Sequence, residues 1–113
     1  MFIKSTFKKY FKFLMQNGFS LKANRWNSEY TFEFRKDEKF ITFHYDDYRE
    51  SVYATIFSGE QECNILDCAT FPENALTELK WKLQEAKCLH SLTAQLNVFS
   101  EFLKANLGAF ISE

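Results

Sequence analysis

The sequence predicts a single α+β domain: an N-terminal helix, one antiparallel sheet and a C-terminal helical half that covers one sheet face. Three observations predict it. Apolar residues recur at helical spacing up to Gln16, apolar and polar residues alternate from Phe19 to Phe57, and helical spacing returns between Pro72 and Asn106. At 113 residues the whole span 1–113 suits one domain.

Ile3, Phe7, Tyr10, Phe11 and Leu14 line one side of a helix, while Lys4, Lys8 and Lys12 repeat every four residues on another. Asn17-Gly18 supplies the expected stop, so the first helix runs roughly Ile3 to Gln16. Phe19, Leu21 and Ala23 then alternate with polar neighbours, as do Tyr30, Phe32 and Phe34. Lys36-Asp37-Glu38 reads as a polar turn. Phe40–Tyr45 is apolar or aromatic on both parities, which predicts a central strand with both faces partly covered. Asp46–Glu50 is a charged connection, and Val52, Ala54 and Ile56 mark a strand ended by Gly59. Four strands on short loops predict a meander, and Glu62–Asp67 is a candidate fifth.

Thr70 with Glu73 three residues on matches a capping box ahead of a helix that begins at Pro72. Leu76, Leu79, Leu83, Ala86, Leu89, Leu92, Leu96, Phe99 and Leu103 carry the helical repeat onward. One unbroken helix from Pro72 to Asn106 would run about 50 Å, against a domain radius of gyration near ~13 Å. The leading expectation is therefore two helices, broken near Cys88–Ser91 with Ser91 capping the second. The alternative is one long kinked helix that projects into a partner subunit.

Hydrophobic residues make up 46% of the chain, and 14 are Phe, enough for a packed core at this length. The charged fraction of 26% excludes a disordered chain. An odd count of three cysteines (Cys63, Cys68, Cys88) argues against a disulfide framework and for a reducing compartment, the cytoplasm. Lys4, Lys8, Lys9 and Lys12 interrupt any secretory leader, and no apolar run reaches the ~20 residues of a spanning helix.

The net charge of −1 hides a segregation: residues 1–25 hold six bases and no acid, whereas residues 26–67 hold ten acids against four bases. Cys63, Cys68, Cys88 and His90 are the shortlist for zinc. Their C-x4-C and C-x-H spacings suit buried small hydrophobes better, because residues two apart on a helix point some ~200° from each other. The same geometry counts against Cys88 with His90 as a nucleophilic dyad. His44 with Asp46 and Asp47 has the residue types of a general base, but no second catalytic element is spaced to meet it. The lysines of the first helix suit a solvated face better than nucleic acid or a membrane. No cofactor motif is present, and Gly18, Gly59 and Gly108 stand alone.

The most informative tract is acidic and bears tyrosines. Asp46, Asp47, Glu50, Glu60 and Glu62 fall in or beside two connections at sheet ends, with Tyr45, Tyr48 and Tyr53 among them. Such carboxylates speed encounter with a basic protein, and aromatics supply desolvated anchors. Tyr45, Asp46, Asp47, Tyr48, Glu50, Glu60 and Glu62 are accordingly the expected partner-binding residues, on the condition that both connections share one surface.

The opening FKKYFKFLMQNGFSL, the YTFEF and FITFHYDDYRESVYATIF strands and the Leu-rich close resemble the small immunity proteins encoded beside bacterial polymorphic or contact-dependent toxins. The resemblance spans nearly the whole chain as style, without a diagnostic motif. It implies a non-enzymatic cytoplasmic inhibitor that binds a cognate toxin domain, for which acids standing in for phosphates suit a nuclease cleft. The rival expectation is a structural homodimer or assembly subunit joined through the Leu-rich helices.

Overall fold

A computed structural model describes residues 3–58 and 61–111. The first helical stretch is α1 (Ile3–Tyr10) followed by α2 (Lys12–Gln16), with a kink at Phe11. There the Leu14 amide turns to the Phe11 carbonyl (3.0 Å), and the Tyr10 carbonyl accepts a hydrogen bond from the Ser100 hydroxyl instead (3.0 Å). A side chain that takes over a helix carbonyl is a recognised cause of such a bend. Gly18, at φ +94°, turns the chain out of α2 into the sheet.

Five strands follow in sequence order, all antiparallel: β1 (Ser20–Trp26), β2 (Glu29–Lys36), β3 (Lys39–Asp46), β4 (Ser51–Ser58) and β5 (Gln61–Asn64). The β1–β2 and β2–β3 hairpins close on two residues each, and Asn27 (φ 55°) and Asp37 (φ 56°) take the left-handed backbone that tight turns demand. The candidate fifth strand is present but short. At Asn64 the chain winds into a 3-10 turn (Ile65–Asp67), with the Asn64 side chain accepting from the Leu66 amide at 3.0 Å.

The C-terminal half is two helices, α3 (Glu73–Cys88) and α4 (Leu92–Ile111). His90 takes φ 50°, and the Ser91 hydroxyl accepts from the Ala94 amide (3.2 Å), so the break and its serine cap fall where the spacing placed them. The longest molecular extent is 35 Å, too short for the unbroken helix. The capping box is corrected: Pro72 precedes α3 without a side-chain cap, and Thr70 instead receives the Cys68 thiol at 3.4 Å.

Among the described residues, helices cover one sheet face only. Phe7 stacks on Phe32 at 4.0 Å between centroids, Phe11 on Phe43 at 4.3 Å, and Phe99 of α4 meets Phe43 edge-on at 5.6 Å. Leu79, Leu83, Leu92, Leu96 and Leu103 lie in this core, whereas Leu76 is half-buried and Leu89 is exposed at the end of α3. β3 is central with both faces partly covered, as expected: Ile41, Phe43 and Tyr45 are buried on the helical side, and Phe40, Thr42 and His44 are half-buried on the other. Among the described residues, no helix is long and apolar enough to cross a membrane.

One polar side chain anchors the layers. Gln95, fully buried on α4, accepts from the Val52 amide at 2.9 Å and donates to the Glu50 carbonyl at 2.7 Å. Gln95→Ala strands both backbone groups and should cost about 3 kcal/mol in denaturant unfolding, whereas loss of the α4 cap in Ser91→Ala should cost about 1 kcal/mol. A Gln95→Ala loss no larger than that of Ser91→Ala would show that other partners serve Glu50 and Val52.

Candidate protein-docking face

Strand register decides which side chains share the uncovered face. Trp26, Glu29, Asp46 and Ser51 form one cross-strand row; Asn24, Thr31, His44 and Tyr53 form the next. Phe40 and Phe57 meet edge-on at 5.3 Å farther along, with the Arg35 guanidinium 5.0 Å from the Phe40 ring centre. The β1–β2 turn and the β3–β4 turn emerge at the same end of the sheet and are tied by the Asp47 amide, which donates to the Ser28 carbonyl at 2.8 Å.

That end carries the most exposed aromatics of the face. Trp26 is 76% exposed and Tyr48 87%, with Tyr53 at 48% one row below. Glu29, Asp47 and Glu50 are exposed around them. The His44 ring stacks on Tyr53 at 4.5 Å and 9°, which makes a flat, rigid platform. Burial holds the His44 imidazole below its ordinary pKa, against the opposing pull of Glu62 and then Glu29.

The structure divides the expected partner-binding residues. Asp47, Tyr48 and Glu50 form the exposed β3–β4 turn, with Asp46 at its base. Asp46 is committed to the turn: its Oδ1 accepts from the Tyr48 amide (3.0 Å) and the Arg49 amide (3.3 Å), and Oδ2 lies 3.7 Å from Arg49 Nε. Tyr45 is no surface anchor. It faces the core at 3% exposure, donating its hydroxyl to Asp47 at 3.3 Å. Glu62 does lie on the uncovered face, but it pairs with Phe57 at the far end of β4, about 20 Å from the β3–β4 turn at ~3.3 Å per residue. Glu60 lies outside the described residues. Glu62 and the β3–β4 turn therefore lie at opposite ends of β4 and do not form one acidic surface.

Trp26 and Glu29 were missed by sequence reasoning. The signal was available: Trp26 continues the even-numbered parity of Lys22 and Asn24, which points it away from the core. The cysteines do not gather, for Cys63 and Cys68 border a hollow beside β5, whereas Cys88 and His90 border another at the end of α3. Among the described residues no three His, Cys, Asp or Glu side chains converge as metal ligands. The lysines Lys4, Lys8, Lys9 and Lys12 are all exposed on the helical side, opposite the acidic turn face.

Comparison with protein-family models, with curated proteins and with solved structures returns no match.

The two perturbed groups beside this face fix its pH response. His44 has a lowered folded-state pKa, so the unfolded chain binds protons first and stability is lost as pH falls through about 6.5. Burial, then Asp47, pushes the Tyr45 phenol up to about 12, so stability is also lost as pH rises above the ordinary value of 10.0. Denaturant midpoints across pH should show His44→Gln flattening the acid limb and Tyr45→Phe the alkaline one. An unchanged alkaline limb in Tyr45→Phe would remove the buried phenol as its cause.

Proposed function

We propose that this chain is a non-enzymatic protein-binding protein that docks a partner with a basic surface on the turn end of its uncovered sheet face. The observation that carries the reading is a sheet whose described helices cover one face, with exposed Trp26, Tyr53 and Glu29 on the other and exposed Asp47, Tyr48 and Glu50 in the turn at its end. Large exposed aromatics keep apolar surface in water at a free-energy cost that burial against a partner relieves, and the Trp and Tyr types dominate binding hot spots. The surrounding carboxylates accelerate encounter with a basic surface and set its orientation.

His44 supports binding better than proton transfer. Its ring lies flat against Tyr53 on an open sheet rather than at the bottom of a cleft, and burial biases it toward the neutral form.

The finer reading is an immunity protein that blocks a toxin domain, and it rests on the resemblance of the strands and helices to that class. A nuclease cleft is basic because its substrate is anionic, and carboxylates on a rigid turn occupy such a cleft as phosphate mimics. Gln95 supplies that rigidity, since it fixes the backbone at both Glu50 and Val52.

The decisive experiment is co-expression with the product of the adjacent reading frame. A stable complex and suppression of that protein's toxicity are expected. In the complex, Trp26→Ala should weaken affinity by about 2 kcal/mol. Glu29→Lys with Glu50→Lys should slow association about tenfold at low salt and flatten its salt dependence. Wild-type association by the charge-reversed protein would overturn the acidic docking site.

A further inference from the structure

We propose that the free edge of β1 is a second docking site, one that takes an extended acidic segment of a partner protein as a sixth strand. β1 spans seven residues and, among the described residues, pairs only with β2, so it forms an edge of the sheet. An edge strand presents a row of backbone donors and acceptors that a further strand completes.

Register identifies which groups those are. A two-residue hairpin closes on a hydrogen-bonded pair, and bonded and non-bonded pairs alternate from there. Trp26↔Glu29 and Lys36↔Lys39 close the two hairpins, so odd-numbered residues of β2 bond β1 and even-numbered ones bond β3. The Asp47 amide on the Ser28 carbonyl fits the same parity. On β1 the even-numbered residues therefore bond β2, while the amides and carbonyls of Leu21, Ala23 and Arg25 point outward.

The other edge is shorter. β5 has four residues before the chain winds into the 3-10 turn, and the returning segment lines a common hollow with Gln61 and Cys63. Short, covered edges are how sheets prevent pairing. Among the described residues, β1 has only Lys22 and Arg25 as charged side chains.

Those two charges select the occupant. Lys22 points to the uncovered face, and Arg25 to the other, where it lies over the Tyr30 ring at 5.0 Å. An antiparallel strand meets Arg25 and Lys22 with its own residues three apart, so it carries acids at i and i+3, with apolar residues opposite Ala23 and Leu21. A second copy of this chain is a poor occupant. It would set Lys22 diagonal to its own copy and juxtapose two segments that each hold six bases and no acid.

The test uses the full isotope-labelled chain and the peptide acetyl-TETVEVT-amide, whose central valine falls opposite Ala23. Backbone resonances of Leu21, Ala23 and Arg25 should shift on titration, and Ala23→Pro, which removes an outward amide without touching the β2 ladder, should weaken binding about tenfold. Methylating the central valine nitrogen should do the same, whereas methylating the preceding threonine nitrogen, which points away from β1, should not. Lys22→Glu should lose the peptide and recover binding to acetyl-TETVKVT-amide. Glu29→Lys with Glu50→Lys should bind the first peptide normally, which separates this edge from the docking face proposed above. Equal binding by the two methylated peptides, or shifts confined to other residues, overturns the proposal. Concentration-dependent shifts of the same amides without peptide overturn it in favour of self-association.

Discussion

The contact between three phenylalanines of the helical layer and the inner face of the sheet is what the rest of the molecule depends on. Phe7, Phe11 and Phe99 come from both ends of the sequence and converge on Phe32, Phe34 and Phe43. Each ring buries ~150–250 Å², worth several kcal/mol at ~25 cal/mol per Å². The helical layer is drawn to this one surface, and the leucines of α3 and α4 close over it. One side of the sheet becomes a dry core and the other stays bare. The location of any docking surface follows from that asymmetry before a single polar residue is considered.

Polar side chains then fix where the layers end. At the end of the sheet with the β2–β3 hairpin, Lys36 donates to the Asn17 carbonyl after α2, and Lys39 donates to the Phe110 and Ile111 carbonyls that finish α4. Cations suit helix C-termini because carbonyls there lack intrahelical partners. At the opposite end Gln95 holds Glu50 and Val52, and Lys87 reaches the Ser51 hydroxyl at 3.1 Å. The β3–β4 turn is thus clamped from beneath while its side chains face solvent. A rigid turn loses little freedom on binding, which is the property a docking loop needs.

Most of the fold was legible because its signals are periodic. Alternation located four strands, and helical spacing with Ser91 located the α3–α4 break. The capping box failed because Thr70 and Glu73 satisfy a pattern of residue types, while the path of the chain through buried Phe71 sends Thr70 to Cys68 instead. Phe40–Tyr45 was legible as a central strand with both faces partly covered: its neighbours half-cover the second face, which tolerates aromatics without a second layer. The acidic tract was legible as composition but not as a surface. A meander sends successive turns to opposite ends, so Glu62 and Glu50 are separated by the length of β4. Parity along β3 also sends Tyr45 inward, even though Asp46 beside it faces out.

The joining of α1 to α4 has a consequence during synthesis. Ser100 completes the kink at Tyr10 from ninety positions further along the chain, so a nascent chain holds its N-terminal helix and hairpins outside the ribosome before α4 emerges. For that interval the phenylalanines of β2 and β3 lack their lid, and a greasy hairpin is offered to whatever chaperone stands at the tunnel exit. Slow codons ahead of α4 would lengthen that exposure, and moving α4 to the front of a permuted gene would abolish it.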